Sequence, residues 1–126
     1  LAKHGVTLHA VFKLGELLQR QGEFSEADLL FNQLVGTFPD TPEGQLAVGR
    51  VHCTHWAVLA GTYPTADEAN RVAQPLGEEA VVRPSRHDGQ LTFRVQIGSL
   101  ATYAQGESLL ATCRETFPRA TLIVSR

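Results

Sequence analysis

The second part of the chain contains an internal duplication, which limits the possible folds more than any other feature. Residues 56–76 and 93–113 repeat one pattern at an offset of 37 residues. In each copy, alternating apolar residues end at a glycine and are followed by apolar residues at helical spacing. The matched pairs are Trp56 with Phe93, Val58 with Val95, Gly61 with Gly98, Thr62 with Ser99, Thr65 with Thr102, and Val72 with Leu109. The duplication predicts two successive strand–helix units.

Two further strands complete this predicted domain. Residues 79–84 are rich in β-branched side chains, with Pro84 typical of an edge strand, and residues 120–124 form a similar short run. Asp88-Gly89 indicates a tight turn between the second and third strands. The order βαββαβ favours a ferredoxin-like α+β fold, with a four-stranded antiparallel sheet and two helices on one face. The first and third strands would be central, and the other face would be open to solvent.

The first part of the chain has a helical period. Val11, Leu14 and Leu18 recur at three- and four-residue spacing. The segment 25–28, Ser-Glu-Ala-Asp, predicts a capping box at the start of a second helix, and Thr41-Pro42 predicts the start of a third. We therefore predict two domains: a helical segment over residues 1–52 and the duplicated domain over residues 53–126.

Composition excludes several classes of function. The chain has 126 residues and a net charge of −2, with no basic block, which disfavours extended nucleic-acid binding. No apolar run approaches the roughly 20 residues of a membrane span, so we predict no direct membrane insertion. Two cysteines, Cys53 and Cys113, form no disulfide framework. Because the chain starts at Leu1 rather than Met, we expect it to be a fragment of a longer protein.

Residues 8–41 resemble a tetratricopeptide repeat. The residues that carry the resemblance are Leu14-Gly15, Leu18, Gly22, Phe24, Ala27, Phe31 and Pro39. The small residues Gly15 and Ala27 would let two helices approach closely. One repeat is fewer than the roughly three needed to bury a solenoid core. Either more repeats precede it, or its helices dock on the second domain; such helices imply a possible protein partner.

Residues 54–125 resemble a SPOR (sporulation-related repeat) domain. Each copy has an aromatic residue, an alternating strand, a glycine followed by a hydroxyl residue, and a small residue eight positions later, which is Ala69 or Gly106. The third strand has the family's Gln-x-Gly-Ser motif as Gln96 to Ser99. The first strand departs from it, with Leu59 in place of the usual glutamine.

This resemblance implies a module that binds and does not catalyse. SPOR domains bind peptidoglycan glycan strands in the bacterial cell envelope, preferably strands without stem peptides, and often at septa. The implied location is periplasmic or envelope-associated. Binding would use the open sheet face and its adjoining loops, without a cofactor.

Strand alternation assigns side chains to this open face. With Val95 and Ile97 inward, Arg94 and Gln96 point outward. Glutamine, threonine and serine side chains can hydrogen-bond sugars, and Arg94 with Arg83 or Arg86 could hold a lactyl carboxylate of the glycan. Two tyrosines at the rim could stack on sugar rings or cover the helix starts. The predicted glycan-binding residues are Leu59, Thr62, Tyr63, Arg83, Arg86, Thr92, Arg94, Gln96, Ser99 and Tyr103.

Other interpretations of these residues remain open. Leu59, an apolar residue at the centre of the face, favours an interaction module that kept the SPOR fold and lost glycan binding. Binding of RNA would require exposed aromatic residues on the central strands, which the sequence lacks there. Segment 52–55, His-Cys-Thr-His, suggests a metal site, but the remaining histidines show no companion spacing. No nucleophile elbow, phosphate loop or zinc-protease motif appears, so we predict neither an enzyme nor a metal site. Trp56 and Cys113 are expected in the core.

Overall fold

The structure, a computed structural model, describes residues 7–126. The part of the predicted domain 1–52 that falls on residues 1–6 lies outside the described residues. Within residues 7–126 the chain forms five α-helices and four β-strands, with a 3₁₀ segment at Gln74–Glu79. In chain order these are α1 Leu8–Arg20, α2 Phe24–Thr37, α3 Pro42–Val48, β1 His55–Tyr63, α4 Ala66–Ala73, β2 Ala80–His87, β3 Gln90–Leu100, α5 Tyr103–Cys113 and β4 Thr121–Ser125.

The four strands form one antiparallel sheet in the order β2-β3-β1-β4. The α+β class and the four-stranded antiparallel sheet are therefore confirmed, and β1 and β3 are the central strands. Asp88 and Gly89 connect β2 to β3 with positive φ angles of 50° and 78°, as a two-residue hairpin turn requires. Pro84 lies on β2, an edge strand, where a missing backbone donor costs little.

Contacts divide the chain into two compact units, which we call the helical unit and the sheet unit. The helical unit comprises the described residues up to His55, together with residues 101–103 and 124–126; the sheet unit comprises residues 56–100 and 104–123. The predicted ranges 1–52 and 53–126 assign both short segments to the second domain, whereas contacts assign them to the helical unit.

The core of the sheet unit lies between one sheet face and two helices. Val58 of β1 and Val95 of β3 are fully buried and share one cluster with Ala69 of α4 and Cys113 of α5. At Gly106 of α5, an added Cβ would lie 2.7 Å from a methyl carbon of Leu122. A side chain at position 106 would therefore collide with Leu122, and Ala69, the other small residue predicted at this position, is fully buried. Trp56 is buried, as expected.

The core of the helical unit forms around Phe31 and Leu34, which are fully buried. Gly15 of α1 packs against the Phe31 ring, and an added Cβ there would lie 2.6 Å from Phe31 Cζ. Phe12 meets the same ring edge to face, with 5.6 Å between ring centroids. The close helix approach expected from Gly15 is confirmed. Leu14, which the periodicity predicted on the apolar face, is instead 49% exposed.

Of the two predicted helix starts, the one at Thr41 is confirmed, and Thr65 caps α4 in the same way. The hydroxyl of Thr41 accepts a hydrogen bond from the Gly44 amide (3.1 Å), and the hydroxyl of Thr65 accepts one from the Glu68 amide (3.2 Å). The capping box at Ser25 was wrong, because α2 begins at Phe24 with no side-chain cap. Asp28 instead accepts the backbone N–H of His52 at 2.8 Å. A long-range hydrogen bond therefore uses the carboxylate that local sequence assigned to the helix start.

The carboxyl-terminal residue completes the helical unit. Arg126 donates from Nη2 to the carbonyl of Val48 (2.7 Å) and from Nε to the carbonyl of Val51 (3.1 Å). Val48 is the last residue of α3, where carbonyl groups lack partners within the helix. The guanidinium group thus caps α3 and places a positive charge at the end of the helix where it is favourable.

No helix within residues 7–126 combines the length and the apolar character needed to cross a bilayer.

Candidate functional site

The register of the central strands defines rows of side chains across the sheet. Arg94 of β3 lies directly opposite Thr62 of β1 and, on its other side, directly opposite Arg83 of β2. Directly opposed residues in an antiparallel pair share one face of the sheet. Thr62, Arg94 and Arg83 therefore form a row across three strands, which we call the arginine row. Its members lie on the face opposite Val95, whose side chain is in the core.

The arginine row is positively charged and uncompensated. Thr62 and Arg83 are exposed, and Arg94 is partly exposed. Within residues 7–126, the side chains of Arg83 and Arg94 form neither an ion pair nor a hydrogen bond. Like charges directly opposite each other on neighbouring strands are destabilising. A bound anion would therefore reduce the repulsion between Arg83 and Arg94 that is present in the free protein.

A β-bulge explains why Thr62 belongs to this row. The register between β1 and β3 shifts between Leu59 and Gly61. Strict alternation from the buried Val58 would turn Thr62 toward the core and Tyr63 outward. The extra residue reverses this phase, so that Tyr63 pairs with Phe93 and packs against the core of the sheet unit. Of the two alternatives considered for Tyr63, this packing favours a structural role over stacking on a sugar ring.

Gln96 lies on the predicted face but is not accessible. It pairs with Leu59 on β1 and with Val81 on β2, which places it on the same face as Arg94. However, its side chain is only 4% exposed, and the nearby Ala57 is fully buried. The expectation that Gln96 is open to solvent was wrong. Alternation along a strand determines the face on which a side chain lies, but it does not determine whether that face is covered.

The remaining predicted residues are not members of the arginine row, although Thr92 lies on the same face, two residues from Arg94. Arg86 pairs with Leu91, and because it is three residues from Arg83 it points to the other face. It therefore cannot join Arg94 in holding one ligand, so that alternative was wrong. Thr92 donates its hydroxyl hydrogen to the carbonyl of Ser85 at 3.1 Å. Ser99 is exposed and follows Gly98, whose φ is +83°. Leu59 is partly buried.

Tyr103 belongs to the helical unit and is in contact with a cation. The guanidinium carbon of Arg20 lies 4.4 Å from the centroid of the Tyr103 ring. Such a distance is typical of a cation–π contact. This contact occupies one side of the ring that was a candidate for sugar stacking. The sequence carried no signal for the contact, because Arg20 lies far from Tyr103 along the chain.

The thiol groups are buried and their reactivity is suppressed. Burial raises the pKa of Cys53, although the nearby Arg126 acts in the opposite direction, and burial also raises the pKa of Cys113. The Cys53 sulfur lies 3.7 Å from the carbonyl oxygen of Gly49. Because the thiolate is the nucleophile and the metal ligand, a raised pKa disfavours both roles. Among the described residues, no three His, Cys, Asp or Glu side chains are grouped to hold a metal ion.

Comparison of the chain with protein-family models, with curated proteins and with solved structures found no significant match to any of them. The residues of the sheet face are therefore the basis for proposing a function.

Proposed function

We propose that the sheet unit is a non-catalytic module that binds peptidoglycan glycan strands through the arginine row. The observation that carries the proposal is the pair Arg83 and Arg94, directly opposed on one face and without a carboxylate partner among the described residues. The proposal includes a ferredoxin-like, SPOR-like fold for the sheet unit and a tetratricopeptide-like character for the helices. It also includes a periplasmic or envelope location in a bacterium, with septal targeting.

The chemistry of the glycan fits a pair of arginines. In intact peptidoglycan the lactyl carboxyl of each muramic acid is joined to the stem peptide by an amide bond, and removal of the peptide leaves a free carboxylate. Guanidinium groups form short, directional, charge-assisted hydrogen bonds to carboxylates. The hydroxyl of Thr62, on the other side of Arg94, can both donate to and accept from a sugar hydroxyl.

The dimensions of the row also fit a short stretch of glycan. Neighbouring strands are about 4.8 Å apart, so a row across three strands spans roughly 10 Å. This length is comparable with one disaccharide. A carboxylate between Arg83 and Arg94, with a sugar hydroxyl at Thr62, would place one repeat of the glycan across the strands.

Sedimentation with purified sacculi tests this proposal. The wild-type chain should sediment with amidase-treated sacculi well above background and less with untreated sacculi. Combining Arg83→Ala and Arg94→Ala should abolish the difference. Arg86→Ala, which removes one positive charge from the other face, should leave binding unchanged. Wild-type binding at background, or equal binding by the double variant, would refute the proposal.

A second function is favoured by the burial of Gln96. The resemblance implies glycan contact by this glutamine, which the structure leaves 4% exposed. A SPOR-like fold that has lost its ligand and binds a protein instead would be consistent with this burial and with Leu59. Retention of a defined protein, with no retention of either type of sacculus, would select this alternative.

A further inference from the structure

The outer side of α1 carries an apolar stripe that residues 7–126 leave uncovered. Leu14 and Leu17 are 49% and 50% exposed, whereas Val11 and Phe12 of the same helix are buried. Residues three and four apart lie on one side of a helix, so Ala10, Leu14, Leu17 and Gln21 form a continuous line. Burial of a leucine is favourable relative to exposure, so covering this stripe would contribute a binding free energy that folding does not use.

Positive charge lies along one edge of this stripe. Lys13 precedes Leu17 by four residues, and Arg20 follows it by three. Both basic side chains are exposed. Glu16 is already paired with Lys13 at 3.0 Å and with Arg50 at 3.1 Å. One carboxylate therefore serves two cations, and Arg20 adds a third, so the edge has a net positive charge in a chain whose net charge is −2.

A depression in the surface accompanies the stripe. Its volume is about 230 Å³, and Lys13, Glu16, Leu17 and Arg20 line it. It is large enough for an apolar side chain from a partner, and charged groups surround its only leucine. An apolar anchor position bordered by charges is the usual form of a site that receives a helix.

We propose that this stripe is a docking surface for an amphipathic helix with acidic residues along one edge, supplied by a partner protein. Apolar side chains of that helix would cover Leu14 and Leu17, and its carboxylates would pair with Lys13 and Arg20. Charge complementarity selects an acidic partner over a basic one, because a basic helix would place like charges at the edge. This inference is independent of the glycan proposal, since it uses other residues.

Selection from a displayed library of helical peptides tests this inference. The library has a helix-favouring alanine-rich background, varies its positions among apolar, acidic, basic and neutral polar residues, and is selected on the immobilised chain. We expect enriched peptides to carry apolar residues at i, i+3, i+4 and i+7 together with a net negative charge. No enrichment, or enrichment of basic or non-periodic peptides, would overturn the proposal.

Variants of the chain then locate the binding surface. For an enriched peptide, Leu17→Ser should weaken binding at least tenfold, and Lys13→Glu should weaken it further as salt is lowered. Leu29→Ser is the matched control, because Leu29 of α2 is 72% exposed and is not bordered by basic side chains in its own helix. Equal losses from Leu17→Ser and Leu29→Ser would contradict the assignment. Self-association of the wild-type chain that Leu17→Ser abolishes would assign the surface to a second copy and overturn the proposed partner.

Discussion

At the scale of single residues, glycines and one buried amide determine how the helical unit packs. Gly15 allows α1 to contact the Phe31 ring, which fills the centre of the helical core. Gln19 is fully buried, donates to the carbonyl of Arg50 at 2.9 Å and accepts from the Arg50 guanidinium at 3.0 Å. A buried amide is tolerated only when its groups are hydrogen-bonded, and this one is. These residues make the packing specific as well as apolar.

Gly15→Ala should destabilise the helical unit by roughly 1–3 kcal/mol, because the new methyl group would collide with the Phe31 ring. This loss should exceed the gain of about 1 kcal/mol in helix propensity. Urea unfolding followed by circular dichroism at the helix band measures the effect.

Gly36→Ala is the matched control for this glycine. It lies in α2, and an added Cβ there meets nothing within 4 Å. The propensity gain alone should then stabilise the unit by about 0.5–1 kcal/mol. The same sign for both substitutions would contradict the close packing of Gly15 on Phe31.

At the scale of elements, the sequence correctly predicted a helix start where the capping side chain belongs to the first turn of that helix. Thr41 caps α3 from within the same turn, so the pattern Thr-Pro-Glu is sufficient to identify it. The segment that begins at Ser25 has another local start pattern, a capping box, yet its Asp28 accepts the backbone N–H of His52, 24 residues away. The sequence contained no signal for that contact, because it arises only when distant segments meet.

Thr41→Ala should cost about 1 kcal/mol of stability, since it removes the hydroxyl that caps α3. Ser25→Ala should stay within about 0.5 kcal/mol of the wild type, because the exposed Ser25 caps no helix. Thermal unfolding of both variants measures this. A larger loss from Ser25→Ala than from Thr41→Ala would show that the sequence-based capping box forms in solution.

The sheet illustrates the same limit of sequence-based prediction. Strand number, strand order and the hairpin turn followed from alternation, duplication and Asp88-Gly89. The sheet faces on which Thr62 and Tyr63 lie depend on a β-bulge in β1. A bulge places one extra residue in one strand of a pair, and the composition of the strand does not indicate it. The burial of Gln96 depended on what covers the sheet. Arg83 and Arg94 were predicted together, and the register then selected Arg83 over Arg86.

Arg83→Thr should stabilise the free protein by roughly 0.2–1 kcal/mol, because it removes a like-charge pair across neighbouring strands. The gain should shrink at high salt, which screens partly exposed charges. Thermal unfolding at low and high ionic strength measures both effects. Arg86→Thr changes the net charge equally but faces Leu91, so it should give no comparable gain. A larger gain from Arg86→Thr would contradict the repulsion assigned to the arginine row.

At the scale of the whole molecule, the arginine row and the α1 stripe suit different ligands. The arginine row belongs to the sheet unit and suits a carboxylate on a glycan, whereas the α1 stripe belongs to the helical unit and suits an acidic helix. The net charge of −2 conceals both positive regions, because acidic residues elsewhere compensate for them. Charge placement, rather than total charge, therefore carries the functional argument.

The most direct test of the central claim is a titration of the chain with soluble glycan fragments that lack stem peptides. One sample keeps its lactyl carboxylates, and the other has them converted to neutral amides. Binding by the wild type should weaken roughly tenfold or more on amidation, which corresponds to the loss of one charge-assisted contact. The variant combining Arg83→Ala and Arg94→Ala should bind both samples equally weakly. Equal affinity of the wild type for both samples would contradict the carboxylate-binding role of the arginine row.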